Sequence, residues 1–398
     1  MREVVIVDGI RTAIGKIGGS LMNETADFLG AKVIQELIQQ NNLDTSIIDE
    51  VILGQAKQSA DQSNLARLAL LRAEIPVEVP AYTVHRQCGS GLQSINNAAQ
   101  QIALGYSDII IAGGAESMST APYYLRNARF GFGAGNGLIL DSNTESQPGS
   151  QPESYGIKTM GETAENLVDK YNISRKEQDA FAYDSQKRTA EAIKQGYFEK
   201  QIVPYEIKTR KSTTLFTVDE HPRLSSIEKL ATLKPVFRQD GSVTAGNSSG
   251  RNDGAAALLV MSKEKAEELG YQPKVKIIAQ ASAGVDPSIM GIGPAPATIK
   301  ALKQANLTID DIDVIELNEA FAAQSLAVIK ELGLDSSKVN PNGGAIAMGH
   351  PIGATGAILM TKLIHELERT GKRFGLVTLC IAGGLGITTI VENCQHNM

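Results

Sequence analysis

Three side chains in this sequence have the types and settings that acyl-transfer chemistry needs. Cys88 lies in HRQCGSGLQSI, Cys380 in TLCIAGGLG, and His350 in NGGAIAMGHPIGATGA. Cysteine is scarce, with Cys394 the only other one, so two of three thiols occupy glycine-rich turns. One thiolate could attack a carbonyl while a second thiol moves a proton. A helix beginning at Cys88 would offer unpaired backbone N–H groups and a dipole that favour a thiolate. The same N–H groups could hold a developing oxyanion. The Gly-Ser-Gly after the cysteine is read as clearing space for a ligand above the sulfur.

Each residue also has a plainer reading. A lone cysteine is usually a small buried hydrophobe. A histidine between Gly349 and Pro351 could simply cap a helix, and Cys380 could be one more strand residue. In ELNEAFA, Asn318 or Glu319 could be a solvated helix cap. Together, however, these residues supply a nucleophile, a base, a second acid/base and a polar orienting group.

Composition admits a large soluble enzyme. The chain has 398 residues, 42% hydrophobic and 21% charged, which suggests two or three domains. A net charge of −6 argues against a nucleic-acid partner, and no apolar run is long enough to span a membrane. The start, MREVVIVDGIRTAIG, reads as a strand rather than a leader, and the final CQHNM carries no retention or peroxisomal signal. With free thiols, the expectation is a reducing cytoplasm. GFGAGNG does not fit a dinucleotide-binding turn, there is no P-loop, and three cysteines and five histidines lack zinc spacing. No metal site is expected.

The elements that must position these residues form a repeat. Residues 31–56 and 297–320 both read as helix, Asn-Leu turn, acidic segment and apolar strand. From Gly54 to Cys88 is 34 positions, and from Asn318 to His350 is 32. A helix then follows each, leading to DIIIAGGAE or FGLVTLCIAGG. Alternating strands and helices predict an α/β fold with two similar, mainly parallel-sheet domains. The expected division is 1–119 completed by 250–270, a covering segment at 120–249, and 271–398. Within the covering segment, Ser174 and Glu177 have capping-box spacing ahead of a helix, and 129–154 reads as loop. The chain returns to the first domain at DGAAALLVMS.

The blocks CGSGL, GGAESMS, NSSGRNDGAAAL, GVDPSIMGIGPAPA, NEAFA, NGGAIAMGHPIGATG and CIAGGLG occur in order. With them the sequence resembles the thiolases over essentially its full length. That resemblance implies a layered αβαβα arrangement and acetyl-CoA C-acetyltransferase activity, meaning condensation of acetyl-CoA or thiolysis of acetoacetyl-CoA and longer β-ketoacyl-CoA. It implies Cys88 as acyl carrier, His350 as its base and Cys380 as acid/base at the α-carbon. Asn318, holding a water with His350, would form one oxyanion hole, and the backbone N–H groups of Cys88 and Ala382 the other. By resemblance, Ser249 meets the pantetheine arm, Ala245, Ala320 and Phe321 are pocket wall, Met160 and Met290 flank the acyl group, and Arg223 meets the adenine or phosphate end. No cofactor is implied, coenzyme A thioesters being substrates, and the assembly would be a homodimer or homotetramer.

Three positions depart from the family. His85 replaces a common Asn, Ala382 a common Gly, and Thr159 the His of acetoacetyl-specific members, which predicts a roomier acyl site. A broad-chain β-oxidation acyltransferase is the alternative reading. A ketoacyl-synthase-type condensing enzyme would lack the second catalytic cysteine, and a non-catalytic acyl-CoA binder would have lost Cys88, His350 or Cys380.

Overall fold

The computed structural model of the chain describes residues 1–156, 158–208 and 212–396, so the last two residues of CQHNM lie outside it. Nine principal strands are Val4–Thr12 (β1), Glu50–Gly54 (β2), Ala81–Val84 (β3), Ile109–Ser117 (β4), Asn252–Ser262 (β5), Val275–Gly284 (β6), Val314–Leu317 (β7), Phe374–Ile381 (β8) and Leu385–Asn393 (β9). The helices that matter for the site are Ala26–Gln40 (α1), Leu65–Arg72 (α2), Ser90–Leu104 (α3), Met160–Tyr171 (α4), Arg175–Lys194 (α5), Pro294–Ala305 (α6), Ala322–Leu332 (α7) and Thr355–Thr370 (α8).

The strands pair in the order β7-β8-β9-β6-β1-β5-β4-β2-β3. In the first half β2 runs parallel to β3 and β4, and β5 is antiparallel to β4 and β1. In the second half β7 runs parallel to β8 and bridges in parallel to Val339, while β9 is antiparallel to β8 and β6. Each half thus joins parallel outer strands to antiparallel inner ones. Within the sheet the two halves pair through Val5 with Lys276 and Ile6 with Val275.

The duplication read from sequence is therefore physical, and it reaches single residues. Asp49 accepts from the backbone of Asp108 and Ile109 at 2.6 and 2.8 Å, and its own N–H bonds to Ile109 O. Asp313 accepts from Arg373 and Phe374 at 3.1 and 2.9 Å, and its N–H bonds to Phe374 O. A one-residue bulge falls at Val7 in β1 and again at Ile278 in β6.

Period-two burial builds the layers. Ile6, Ala256, Leu258 and Val260 of the first half face α3 and α8, as do Val377, Leu379, Ile381 and Val391 of the second. The alternate residues, Val5, Val7, Ala257, Leu259 and Met261, pack on α1 and α2. On the far side of the second half, Leu376 and Ile390 pack with residues of α6 and α7. The order is helix, sheet, helix, sheet, helix, with α3 and α8 in the middle.

Among the described residues between Met118 and α4 the covering segment is largely irregular, with a short hairpin of Tyr123–Leu125 and Ile139–Asp141 and, within the stretch read as loop, one helical turn at Ser142–Glu145 and short 3-10 turns. The capping box predicted at Ser174 and Glu177 is present and opens α5. The DGAAALLVMS segment is β5, buried along its whole length.

Candidate active site

Strand β3 ends at Val84 and α3 begins at Ser90, so the chain reverses around Cys88 in five residues. Gln87 takes a left-handed backbone, φ 44°. Ser90 fixes the turn by accepting from Arg86 N–H at 2.9 Å and donating to Gln87 O at 2.6 Å. Cys88 is left partly exposed, facing a cavity of about 190 Å³. Burial pushes its thiol up, against the backbone amides of Ala382 and of Cys88 itself and the Lys57 ammonium. Ala382 stays out of the positive-φ region while Gly383 and Gly384 take 89° and 81°, so the alanine fits where the family has glycine.

His350 lines the same cavity. Its Nδ1 lies 2.7 Å from Thr355 Oγ1, whose own proton goes to Pro351 O at 3.0 Å. Thr355 must therefore accept from Nδ1–H, which leaves Nε2 as the bare, basic nitrogen. Nε2 is buried with no partner among the described residues. Asn252 holds the backbone, accepting from His350 N–H at 2.9 Å while donating to Gly15 O at 2.9 Å. Burial pushes His350 down to about 4. A raised thiol and a lowered imidazole lining one cavity favour the neutral pair at rest over a preformed thiolate.

Cys380 is the penultimate residue of β8, is 1% exposed, and lines the cavity. Burial first, and then the neighbouring Cys88, push its thiol up. Asn318 follows β7, with its N–H on Thr378 O at 3.0 Å. Its amide is fully buried, and neither the oxygen nor the nitrogen has a partner among the described residues. Asn318 and Glu319 are thus not solvated caps. Glu319 is buried too, and accepts from Ser185, Asn340 and Ile346 at 2.7, 2.8 and 3.2 Å.

Of the other residues singled out in the sequence, Ser249, Ala320, Phe321, Met160 and Met290 line this cavity. Ser249 N–H bonds to Ala320 O at 3.0 Å, which closes the wall. Ala245 and Arg223 do not join them; they line a neighbouring cavity of about 300 Å³ with His221. Thr159 is also absent from the acyl cavity, because it is the N-cap of α4 and accepts from Glu162 N–H at 3.3 Å. His85 is exposed and does not line the cavity. The glycines after Cys88 serve packing rather than ligand approach: a Cβ on Gly91 would lie 2.9 Å from Ala357 N and Gly353 O.

Sequence reading missed Lys57, Met118, Phe237 and Arg251, which also line the cavity, and Thr355 and Asn252, which orient His350. The repeat held a signal for Lys57. Counting from Asp49 and Asp313, Lys57 is the counterpart of Phe321. Among the described residues, no cluster of His, Cys, Asp and Glu is arranged to hold a metal.

Known proteins agree with this geometry. Residues 4–264 match the family model "Thiolase, N-terminal domain" and 271–393 match "Thiolase, C-terminal domain". An acetyl-CoA acetyltransferase of Syntrophomonas wolfei is 50% identical over 395 residues, 98% of this chain and 99% of that one. A beta-ketoadipyl-CoA thiolase of Pseudomonas aeruginosa is 49% identical, over 98% and 99%. The crystal structure of the Bacillus anthracis acetyl-CoA acetyltransferase superposes with a TM-score of 0.96 at 49% identity, covering 99% of both chains. The chain belongs to the thiolase family.

Proposed function

We propose that this protein is an acetyl-CoA C-acyltransferase that cleaves β-ketoacyl-CoA with coenzyme A, and condenses acetyl-CoA in reverse, through an acyl group on Cys88. The observation that carries this reading is the bare, buried Nε2 of His350 in one small cavity with two cysteine thiols.

In the cleavage direction His350 Nε2 takes the Cys88 proton as sulfur attacks the 3-keto carbon. The backbone amides of Cys88 and Ala382 receive one developing oxyanion. The C2–C3 bond breaks, its electrons pass to C2, and Cys380 protonates that carbon to release acetyl-CoA. The enolate oxygen is held by His350 and a water on Asn318. Cys380, now a thiolate, takes the proton of incoming coenzyme A, whose sulfur attacks the Cys88 thioester. As the new acyl-CoA leaves, Cys88 recovers its proton from His350. Ser249 meets the pantetheine arm, and Arg223 with the neighbouring cavity serves the nucleotide end. The methionines around the acyl group adapt to more than one chain length. Nothing in this sequence of steps calls for a further cofactor.

The test is to incubate the protein with acetyl-CoA and map the acetylated peptide by mass spectrometry, alongside turnover of acetoacetyl-CoA in both directions. Acetyl on Cys88 supports the reading. Acetyl on Cys380 or Cys394, or no turnover, overturns it.

We further propose the division 1–119 with 250–270, 120–249, and 271–398, and assembly as a homodimer or homotetramer in the cytoplasm. The covering segment exposes Tyr123, Leu125, Phe130, Leu138 and Ile139, an apolar surface suited to a second copy. No helix among the described residues is long and apolar enough to cross a membrane. Light scattering that reports a monomer at working concentrations would refute the assembly.

A further inference from the structure

Among the described residues the acyl cavity carries two cations, Lys57 and Arg251, while no Asp or Glu lines it. Lys57 is 6% exposed. Its ammonium donates to Ser146 Oγ and, at 3.4 Å, to Ser142 O. Among the described residues, no carboxylate oxygen lies within 4 Å of it. The nearby Glu116 is committed elsewhere, accepting backbone N–H groups of Ala56, Lys57 and Gly353 at 2.9, 3.1 and 2.8 Å. Arg251 is 42% exposed, and its only ion-pair contact among the described residues is Asp141 at 3.7 Å, beyond hydrogen-bond reach.

A buried ammonium without a carboxylate is costly, because its hydration is lost and little charge is returned. Burial accordingly pulls the Lys57 pKa down. The cost is offset if a bound anion completes the ammonium's third donor. Position supports this. The repeat counterpart of Lys57 is Phe321, which lines the same cavity as apolar wall. One half of the duplication thus presents a ring and the other a charge, while Met118, Met160 and Met290 provide surface for intervening methylenes.

We propose that the cavity selects β-ketoacyl-CoA whose acyl chain ends in a carboxylate, with Lys57 as its principal partner and Arg251 as support. This rests on the thiolase reading and names its substrate class. The acyl group left on Cys88 would then be a dicarboxylic half-thioester, which coenzyme A releases by the steps already given.

The test compares kcat/KM for thiolysis of 3-oxoadipyl-CoA and 3-oxohexanoyl-CoA, which share six acyl carbons and differ in the terminal carboxylate. The wild type is expected to favour 3-oxoadipyl-CoA by about 10-fold or more, on the scale of one charge-assisted hydrogen bond. Lys57→Met should collapse that ratio by about 10- to 100-fold. Lys57→Arg should keep most of it, and Arg251→Met should lower it less. A wild type that favours 3-oxohexanoyl-CoA overturns the proposal even if every variant fails to fold. Equal losses on both substrates in Lys57→Met also overturn it. With a raised KM for coenzyme A they mean that Lys57 meets coenzyme A, and with slowed acylation they mean that it acts only on the Cys88 charge. Failure to turn over either substrate or acetoacetyl-CoA would overturn the thiolase reading, and this proposal with it.

Discussion

Gly91 and Gly356 hold equivalent places in the first turns of α3 and α8, and each packs against the residue that follows the other. A Cβ on Gly91 would meet Ala357 N at 2.9 Å, and a Cβ on Gly356 would meet Leu92 N closer still. The two helices therefore touch backbone to backbone where they start, around the local twofold that relates the halves. Cys88 lies three residues before Gly91 and His350 six before Gly356. This contact is what brings a nucleophile and a base from opposite ends of the chain into one cavity.

Gly356→Ala should therefore be destabilising although alanine is the better helix former. The intrinsic gain is about 0.5–1 kcal/mol. Overpacking against a neighbour's backbone, which cannot swing aside, costs about 1–3 kcal/mol. Urea unfolding should show a lower midpoint for Gly356→Ala than for wild type, with Gly91→Ala between them. A midpoint at or above wild type in Gly356→Ala would mean that α3 and α8 separate at no cost.

Thr355 sets the tautomer of His350, so Thr355→Val should cut acylation of Cys88 by about 5- to 30-fold, the scale of one buried hydrogen bond of 1–2 kcal/mol. Valine keeps the branched shape and removes the acceptor. Thr355→Ser should retain most of the rate. Rapid-quench acylation by acetyl-CoA reports this directly, and equal rates in both variants would remove the orienting role.

The buried, neutral His350 also predicts a pH dependence of stability. Its folded pKa of about 4 lies below the ordinary value of 6.5. Between those values the unfolded chain binds the proton and the folded one resists it, so stability falls as pH falls from about 6.5 to 4 and this contribution levels off below. At 1.36 kcal/mol per unit the swing is on the order of 3 kcal/mol. The measurement is ΔG of unfolding at pH 7 and pH 5 for wild type and His350→Gln. The wild type should lose more, and equal losses would show that His350 titrates normally.

The parts of the site that depend on short-range pattern were legible in the sequence, and those that depend on the pairing of halves mostly were not. Asp49 and Asp313, the Ser174 capping box and the glycine-rich turns announce themselves within a few residues. Lys57 did not, because "GQAKQSA" looks like any strand end, and only β2 and its loop meeting the covering segment bring it to the cavity wall. The resemblance implies Ala245 as pocket wall and Thr159 near the acyl group. Local hydrogen bonding and the course of the chain put one in the next cavity and the other in a helix cap.

Cys380 gives the last prediction. Its thiol is buried and pushed up, so it rests protonated beside Cys88, which is partly exposed. Iodoacetamide should therefore label Cys88 well before Cys380. Cys380→Ser keeps a small polar group at the same place but holds its proton more tightly, so it is a poor acid toward C2 and its oxygen a poor base toward coenzyme A. General acid–base help of this kind contributes about 10²- to 10⁴-fold, and thiolysis of acetoacetyl-CoA should fall by that range in the variant. Loading of Cys88 from acetyl-CoA reverses the thiolysis step, so Cys380 would there protonate the departing coenzyme A; a thiolate leaves far more readily than a carbanion, so in the variant the acetyl-enzyme should form more slowly yet still accumulate in intact-mass spectra. Turnover within a few-fold of wild type would remove Cys380 from the proton path. Loss of the acetyl-enzyme together with turnover would instead make Cys380 indispensable to acylating Cys88 as well.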